Sequence, residues 1–231
     1  MSIQVNIAVQ RNRVHVVNQM LKAFEKQTVL PNSITLILQG FKYPFESKLP
    51  LNVISNQSNK GAAERFNHLG ESINVIIDDD FIPASTYIET ALNGHLRHSN
   101  ALCSFWSMQY LHKQRYTSSW LDMPSWDAYG SDVQCKRVGL GLSIFDKSKI
   151  DMRIFEFDKP NYNDMQVAVN AVKYGVELWK IVHKPNIAHH QGDSRVQSNA
   201  LWKNEPNNLE YLQTKHELIF NHYEALNLLP Q

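Results

Sequence analysis

The stretch Ile73-Asn74-Val75-Ile76-Ile77-Asp78-Asp79-Asp80 decides the fold, because a short apolar, β-branched run ends abruptly in three carboxylates. Such a run is typical of a strand buried on both faces of a parallel sheet. Adjacent carboxylates repel one another, and a divalent cation at the strand end would relieve that repulsion. Mg²⁺ and Mn²⁺ prefer oxygen ligands and commonly combine one or two carboxylates with substrate phosphates. The alternative is an acidic turn whose aspartates bond nearby backbone and stay solvated.

Strands and helices alternate on the N-terminal side of this run. Alternating apolar residues over 3–9 predict a first strand, helical spacing over 14–27 predicts a helix, and the apolar run 34–38 predicts a second strand. A third short strand is expected at 52–54, followed by a short helix over 61–69. This order predicts a mainly parallel α/β sheet flanked by helices.

Polar side chains follow each predicted strand. They are Arg11, Gln39, Lys60 and the three aspartates 78–80. Ligands of such sheets bind beyond the carboxyl ends of the strands, so we expect these residues to share one crevice. Basic side chains beside the acidic run favour a bound metal over a solvated acidic turn.

The C-terminal half alternates less regularly. It predicts a helix after Ser85, strands over 101–110, 138–145 and 176–182, and helices over 163–173 and 209–226.

Length and composition favour one enzyme-sized domain. The 231 residues can bury one sizeable core, and a formal net charge of +1 provides no general attraction to nucleic acid or to an anionic membrane. Cys103 and Cys135 lie far apart in a chain that opens without a signal stretch, so we expect free thiols and a cytoplasmic location. The apolar runs are far shorter than the roughly 20 residues of a membrane helix, so we expect no integral membrane segment.

Three motifs in residues 1–90 together resemble the family-2-type glycosyltransferases of the GT-A fold. Gln10-Arg11-Asn12-Arg13 is similar to the Thr-x-Asn-Arg turn that follows the first strand in that family. Residues 59–67 (Asn-Lys-Gly-Ala-Ala-Glu-Arg-Phe-Asn) are similar to its Asn-x-Gly-x-x-x-Arg-x-Asn helix start, and 78–80 resembles its Asp-x-Asp motif. The resemblance implies a single Rossmann-like domain over 1–231, with a nucleotide-sugar-binding half (1–100) and an acceptor half with a C-terminal helix (101–231).

The resemblance also implies a donor site and a metal. Mn²⁺ or Mg²⁺ would be bound by Asp78 and Asp80, and residues 188–194 resemble a segment whose histidine completes the metal shell in some enzymes of this fold. We prefer His190 to His189, although a surface histidine pair would leave the same trace. The implied donor-binding residues are Gln10, Arg11, Arg13, Gln39, Lys60, Gly61, Arg65, Asp78, Asp79 and Gly141.

One departure from the family concerns the nucleoside. Family members usually carry an aspartate pair after the second strand to hold it, whereas this chain has Gln39-Gly40. Gln39 can both donate and accept hydrogen bonds. Uridine is expected from the resemblance only.

Two further segments of the second half resemble the family. Residues 139–143 (Gly-Leu-Gly-Leu-Ser) are similar to a glycine-bearing segment that approaches the sugar and the acceptor, although a β-bulge would leave the same pattern. Asp164 is placed like a family carboxylate that serves as the base in inverting members. A first-turn aspartate favoured by the helix dipole is the alternative.

Other side chains have two interpretations each. Trp120, Trp126 and Tyr129 can stack on a sugar or base, or simply pack a long loop onto the core. Arg195 can reach a phosphate or stay solvated. A basic patch of Lys136, Arg137, Lys147 and Lys149 can contact DNA phosphates or form a solvated face.

The predicted function is a metal-dependent glycosyltransferase, a hexosyl- or pentosyltransferase that moves a sugar from a nucleotide-diphosphate sugar to a hydroxyl. The acceptor would be a glycan or hydroxylated bases of viral DNA, and inversion is expected from the placement of Asp164. A nucleotidyltransferase is an alternative, but residues 10–13 lack its glycine-rich phosphate loop. A non-catalytic carbohydrate- or nucleotide-binding module is a second alternative, with calcium on the aspartates.

Overall fold

The computed structural model describes residues 1–110, 120–125, 127–128, 130–158, 163–191 and 209–225. The predictions for Trp126, Tyr129 and Arg195, and for the side chain of Trp120, lie outside this part of the chain.

Strands and helices alternate through the N-terminal half, as the sequence predicts. The strands in chain order are β1 (Ile3–Val9), β2 (Ser33–Leu38), β3 (Leu51–Ser55), β4 (Ile73–Ile77), β5 (Phe81–Pro83), β6 (Leu102–Ser104), β7 (Ser107–Tyr110), β8 (Trp120–Met123), β9 (Val133–Gln134), β10 (Arg137–Val138), β11 (Leu142–Asp146), β12 (Leu178–Lys180) and β13 (Ala188–His190). The α-helices are α1 (Val14–Phe24), α2 (Tyr87–Arg97), α3 (Asn163–Tyr174) and α4 (Leu209–Ala225), and 3₁₀ helices lie at Arg11–Arg13, Ala62–His68 and Met152–Phe155.

The central sheet has eight strands in the order β3-β2-β1-β4-β11-β6-β12-β9. Strands β3, β2, β1 and β4 are parallel, which confirms the predicted mainly parallel α/β sheet. Strand β11 then pairs antiparallel with both β4 and β6, so the sheet becomes mixed in the C-terminal half. Because β1, β2 and β4 point the same way, their carboxyl ends meet at one edge.

The core explains why these runs become strands. Residues of β4 are all buried, and β1 and β2 have Val5, Ile7, Leu36 and Leu38 fully shielded from water. Helix α1 covers this sheet with the apolar face that its spacing predicts. Each such buried aliphatic side chain contributes about 1.5–3 kcal/mol relative to exposure.

Two predicted elements differ from the structure. The expected strand over 138–145 is divided into β10 and β11 by a turn at 139–141, and the expected strand over 101–110 is divided into β6 and β7. Ser104 contacts the backbone at both breaks. Its hydroxyl donates to the Gly139 carbonyl at 2.9 Å and accepts from the Trp106 N–H at 3.1 Å. These side-chain hydrogen bonds to backbone take the place of strand pairing at the two breaks. Strand β7 belongs to a separate three-stranded sheet with β10 and β8.

The predicted helix over 61–69 is a 3₁₀ helix at Ala62–His68. It follows Gly61, whose φ of 79° is a left-handed value that glycine adopts without strain.

A buried lysine holds the end of β12. Lys180 is fully shielded, and its ammonium group donates to the Phe105 carbonyl and to the Pro124 carbonyl at 3.2 Å. Its Nζ also lies 2.8 Å from His183 Nε2. The other ring nitrogen, Nδ1, lies 2.8 Å from the Lys184 carbonyl and must donate to it, so Nε2 is the acceptor for the ammonium group. The imidazole is therefore neutral in the folded protein.

Acid is expected to destabilise the fold through His183. Burial, followed by the Lys180 charge, lowers the pKa of His183 to about 4. The unfolded imidazole titrates near 6.5, so between these values the unfolded state binds more protons and the free energy of unfolding falls as pH falls. Replacement His183→Gln keeps an acceptor for Lys180 and removes the titration.

Urea unfolding between pH 7.5 and 4.5 measures this effect. The wild type should lose about 2 kcal/mol more than His183→Gln over that range. If the free energy of unfolding changed equally with pH in the two proteins, His183 would not titrate as inferred.

Candidate functional site

Residues from distant parts of the sequence meet at the carboxyl edge of the parallel strands. Gln10 follows β1, Gln39 follows β2, and Asp78, Asp79 and Asp80 follow β4. The predicted convergence of these polar residues is therefore present in the structure.

Asp79 points inward and connects two strand ends. Its side chain is shielded, one carboxylate oxygen accepts from the Gln10 N–H at 2.7 Å, and the other forms an ion pair with the Arg13 guanidinium. Burial raises the pKa of the Asp79 carboxyl to about 6 while Arg13 opposes the rise, so the group is ionised at neutral pH. Asp79 therefore positions the end of β1 against the end of β4.

Asp78 lies at the surface of the crevice. Its side chain is 41% exposed, and one carboxylate oxygen accepts from the buried Arg65 guanidinium. Its backbone N–H donates to the Gly141 carbonyl at 2.9 Å. A Cβ added at Gly141 would overlap the Asp78 carboxylate, so any other residue there would displace the Asp78 side chain from its present position.

Asp80 is held between Arg13 and His190. Its Oδ2 lies 3.1 Å from an Arg13 guanidinium nitrogen and 3.5 Å from His190 Nε2. Strand β13 brings His190 there by pairing antiparallel with β5, which places His190 opposite Phe81. The hydrogen bond to Asp80 raises the pKa of His190.

The charge balance of the aspartates differs from the expectation. We predicted that a cation relieves their repulsion, but the chain supplies its own partners: Arg65 for Asp78, and Arg13 and His190 for the other two. Within the described ranges, no group of three or more His, Cys, Asp or Glu side chains is arranged to hold a metal ion.

The donor set nevertheless fits a divalent cation in its chemistry. Asp80 Oδ1 is shielded and has no hydrogen-bond partner in the part of the chain that the structure describes. Such an orphaned carboxylate oxygen is costly unless a ligand pairs with it. Asp78 and His190 are the neighbouring side chains that retain exposed surface.

Asp164 joins the same site through the turn at 139–141. It lies in the first turn of α3, and its Oδ1 accepts from the Leu140 N–H at 3.0 Å. Burial raises the pKa of Asp164, and the nearby Asp78 charge adds to that rise while Arg137 opposes it. Because Leu140 is next to Gly141, consecutive residues of the turn contact Asp164 and Asp78.

A second loop lies at the β2 side of the crevice. The Lys60 N–H donates to the Gln39 side-chain oxygen at 2.8 Å, which fixes the start of the loop before Gly61. The exposed Arg11 guanidinium donates to the Gly40 carbonyl at 3.3 Å. The structure therefore places Arg11, Gln39 and Lys60 together, as the sequence predicts.

The sequence did not single out Trp106, which the structure places beside this site. The half-buried indole occupies the space that a Cβ at Gly139 would need, and the Gly139 N–H donates to the Trp106 carbonyl at 2.9 Å. The signal in the sequence was Gly139 itself, but only the fold shows that the Trp106 ring fills the space where a Cβ at position 139 would lie.

The basic patch is divided in the structure. Arg137 is buried, with a guanidinium nitrogen 3.9 Å from Asp164, and Lys147 pairs with Glu71 at 3.2 Å. The four basic residues therefore do not present one exposed surface.

Comparisons with known proteins identify the fold. No protein-family model matches the sequence, and no curated protein is similar to it in sequence. Among solved structures, 186 chains are similar to this one, so the architecture is a recurrent one. One is a crystal structure of GalNAc-T7 with UDP, GalNAc and Mn²⁺, with a TM-score of 0.64 and 11% identity over 98% of this chain.

The chain has the GT-A glycosyltransferase fold. At 11% identity the similarity shows the fold, and the chain spans 56% of the length of that GalNAc-T7 chain.

The GT-A domain should depend on the buried Arg13–Asp79 ion pair for stability. Replacement Asp79→Asn removes one of the two carboxylates that face the buried Arg13 guanidinium and leaves Asp80 as its charged partner, so the loss should be about 2 kcal/mol, the value of a hydrogen bond to a charged group. The surface pair of Asp151 with Arg153 provides the control, because Asn can still accept from the Arg153 N–H and exposed ion pairs contribute little to stability.

Urea unfolding of Asp79→Asn and Asp151→Asn at pH 7.5 measures the difference. Equal, small losses in the two variants would contradict the structural role given to Asp79.

Proposed function

We propose that this chain is a metal-dependent glycosyltransferase that moves a sugar from a nucleotide-diphosphate sugar to a hydroxyl acceptor. The supporting observation is the turn at 139–141, which contacts the carboxylates of Asp78 and Asp164 within a GT-A fold. One carboxylate belongs to the cluster that suits a cation and phosphates, and the other is a candidate base. The GalNAc-T7 structure contains UDP, GalNAc and Mn²⁺, which supports a nucleotide-sugar donor.

Mn²⁺ or Mg²⁺ would be held by Asp78, Asp80 and His190. The cation, when bound, neutralises charge on the donor diphosphate and steadies it as a leaving group. The unpartnered Oδ1 of Asp80 supports this assignment.

The chain's own residues would arrange the anionic donor. Arg13 and Arg65 form ion pairs that hold the aspartates in place, and Asp79 keeps the Gln10 backbone against β4. Arg11 and Lys60 are exposed cations at the same edge, where they can meet the donor's phosphates. Gly141 allows the backbone and the Asp78 carboxylate to lie close together, and Gly61 provides the left-handed φ that begins the loop after Lys60.

Asp164 would be the general base of an inverting transfer. The acceptor oxygen attacks the anomeric carbon, its proton passes to the Asp164 carboxylate, and the bond to the nucleoside diphosphate breaks. The raised pKa of Asp164 favours this role because it brings the carboxyl closer to the operating pH. The Leu140 N–H orients the carboxylate.

A glycan is the acceptor that we favour over hydroxylated bases of DNA. Arg137 is buried and Lys147 is paired, so the basic patch offers little to a phosphate backbone.

We also propose that the chain belongs to glycosyltransferase family 2 and is located in the cytoplasm. None of the helices in the described ranges has the length and apolar character to cross a membrane.

A non-catalytic nucleotide- or carbohydrate-binding module is the second candidate. The observation that favours it is the internal charge balance, because Arg13, Arg65 and His190 stabilise the aspartates without a cation. A module of this kind would bind ligand without consuming it.

The first experiment tests donor binding. Nucleoside diphosphates and nucleotide sugars are screened by thermal shift with and without Mn²⁺, using wild type, Asp80→Ala and the charge-matched surface variant Glu71→Ala. We expect a Mn²⁺-dependent rise in Tm for wild type and Glu71→Ala that is lost in Asp80→Ala. A rise that does not need Mn²⁺, or no rise for any nucleotide, would contradict the proposal.

Turnover tests the base. Replacement Asp164→Asn keeps an acceptor for the Leu140 N–H but cannot take up a proton, so transfer or donor hydrolysis should fall about 10²–10⁴-fold while donor affinity stays similar. The exposed Asp158→Asn variant should retain wild-type turnover. Turnover of Asp164→Asn within a few fold of wild type would exclude Asp164 as the base, and binding without any turnover in wild type would favour the module.

A further inference from the structure

Two amide nitrogens without partners in the described residues lie directly after strands β2 and β3. Gln39 Nε2 and Asn56 Nδ2 are both shielded, and neither has a hydrogen-bond partner among the described residues. Buried amide groups in folded proteins are normally paired with protein, water or a ligand, so each of these two donors has a hydrogen bond to offer.

The two side chains start from neighbouring positions. Leu38 and Ser55 are partners in the parallel ladder of β2 and β3, and Gln39 and Asn56 are the residues that follow them. The Asn56 N–H donates to the Leu38 carbonyl at 3.0 Å, so the ladder continues to this point. The two amides therefore project from adjacent strand ends.

The orientation of the Gln39 amide follows from its contact with Lys60. A backbone N–H can only donate, so the atom 2.8 Å from the Lys60 nitrogen must be the oxygen of Gln39. The NH₂ group is then turned away from Lys60, and Gln39 can offer only a donor to anything that binds beside it.

The direction of the bound donor follows from the proposed function, on which this inference rests. Asp164 contacts the turn that precedes β11, on one side of β4, so the reacting sugar lies on that side. The nucleoside must extend to the other side, across β1 towards β2 and β3. Two strand spacings separate β4 from β2, which is about 10 Å.

We infer that Gln39 and Asn56 both donate through their NH₂ groups and so recognise the nucleotide's base through two neighbouring acceptor atoms. Cytosine offers such a pair in O2 and N3, and guanine offers one in O6 and N7. Uracil has an N–H between its two carbonyl oxygens, and adenine has an amino group beside each of N1 and N7. The site therefore selects a cytidine or guanosine diphosphate sugar over a uridine or adenosine one.

Titration of the full chain with CDP, GDP, UDP and ADP in Mn²⁺ tests the inference. CDP or GDP should bind about tenfold more tightly than UDP and ADP, the value of one additional hydrogen bond, and the comparison of CDP with GDP identifies the base.

The isosteric variant Gln39→Glu keeps the acceptor for the Lys60 N–H and replaces the NH₂ group by a carboxylate oxygen. The variant should bind the preferred nucleotide about tenfold more weakly. Its affinity for UDP should stay equal or increase, because an acceptor suits the uracil N–H. The control Gln57→Glu adds the same charge at an exposed neighbouring residue and should leave the order of affinities unchanged. The Tm of each free variant confirms that it is folded.

The outcomes separate this inference from the proposed function. A wild type that prefers UDP or ADP, or a Gln39→Glu variant that shifts all four nucleotides as Gln57→Glu does, overturns the base assignment and leaves the glycosyltransferase proposal standing. Absence of binding for every nucleotide overturns both.

Discussion

The buried ion pair between Arg13 and Asp79 is the constraint on which the rest of the site depends. Asp79 also accepts from the Gln10 backbone, so one carboxylate fixes the end of β1 against the end of β4. A charge removed from water is stable only with close partners, and here the partners come from the segment directly after β1. With Asp79 turned inward, Asp78 and Asp80 on either side are left at the crevice.

That placement divides the crevice into two chemically different ends. The β4 end holds carboxylates and the arginines that balance them, together with Asp164, which the turn at 139–141 brings close to Asp78. The end formed by β2 and β3 holds the amides of Gln39 and Asn56 and the exposed cations Arg11 and Lys60. A nucleotide sugar has the matching asymmetry, since its phosphates need cations and its base needs hydrogen bonds.

The chain's internal charge balance has a consequence for metal binding. Arg65 and His190 occupy carboxylate oxygens of Asp78 and Asp80, so a cation at this site must compete with side chains already in place. Such ion pairs order the acidic side chains in the absence of a ligand, which would lower the cost of assembling the proposed site.

The sequence by itself determined the strand-helix alternation, the strand Ile73–Ile77 and the convergence of residues after β1, β2 and β4, because buried apolar runs and strand polarity are local properties. Only the tertiary structure decided which charges meet. Contacts between distant segments pair Arg13 and Arg65 with the aspartates. Such contacts also place Trp106 against Gly139 and orient the Gln39 amide. Local patterns carry no information on such contacts, since they arise only when the chain has folded.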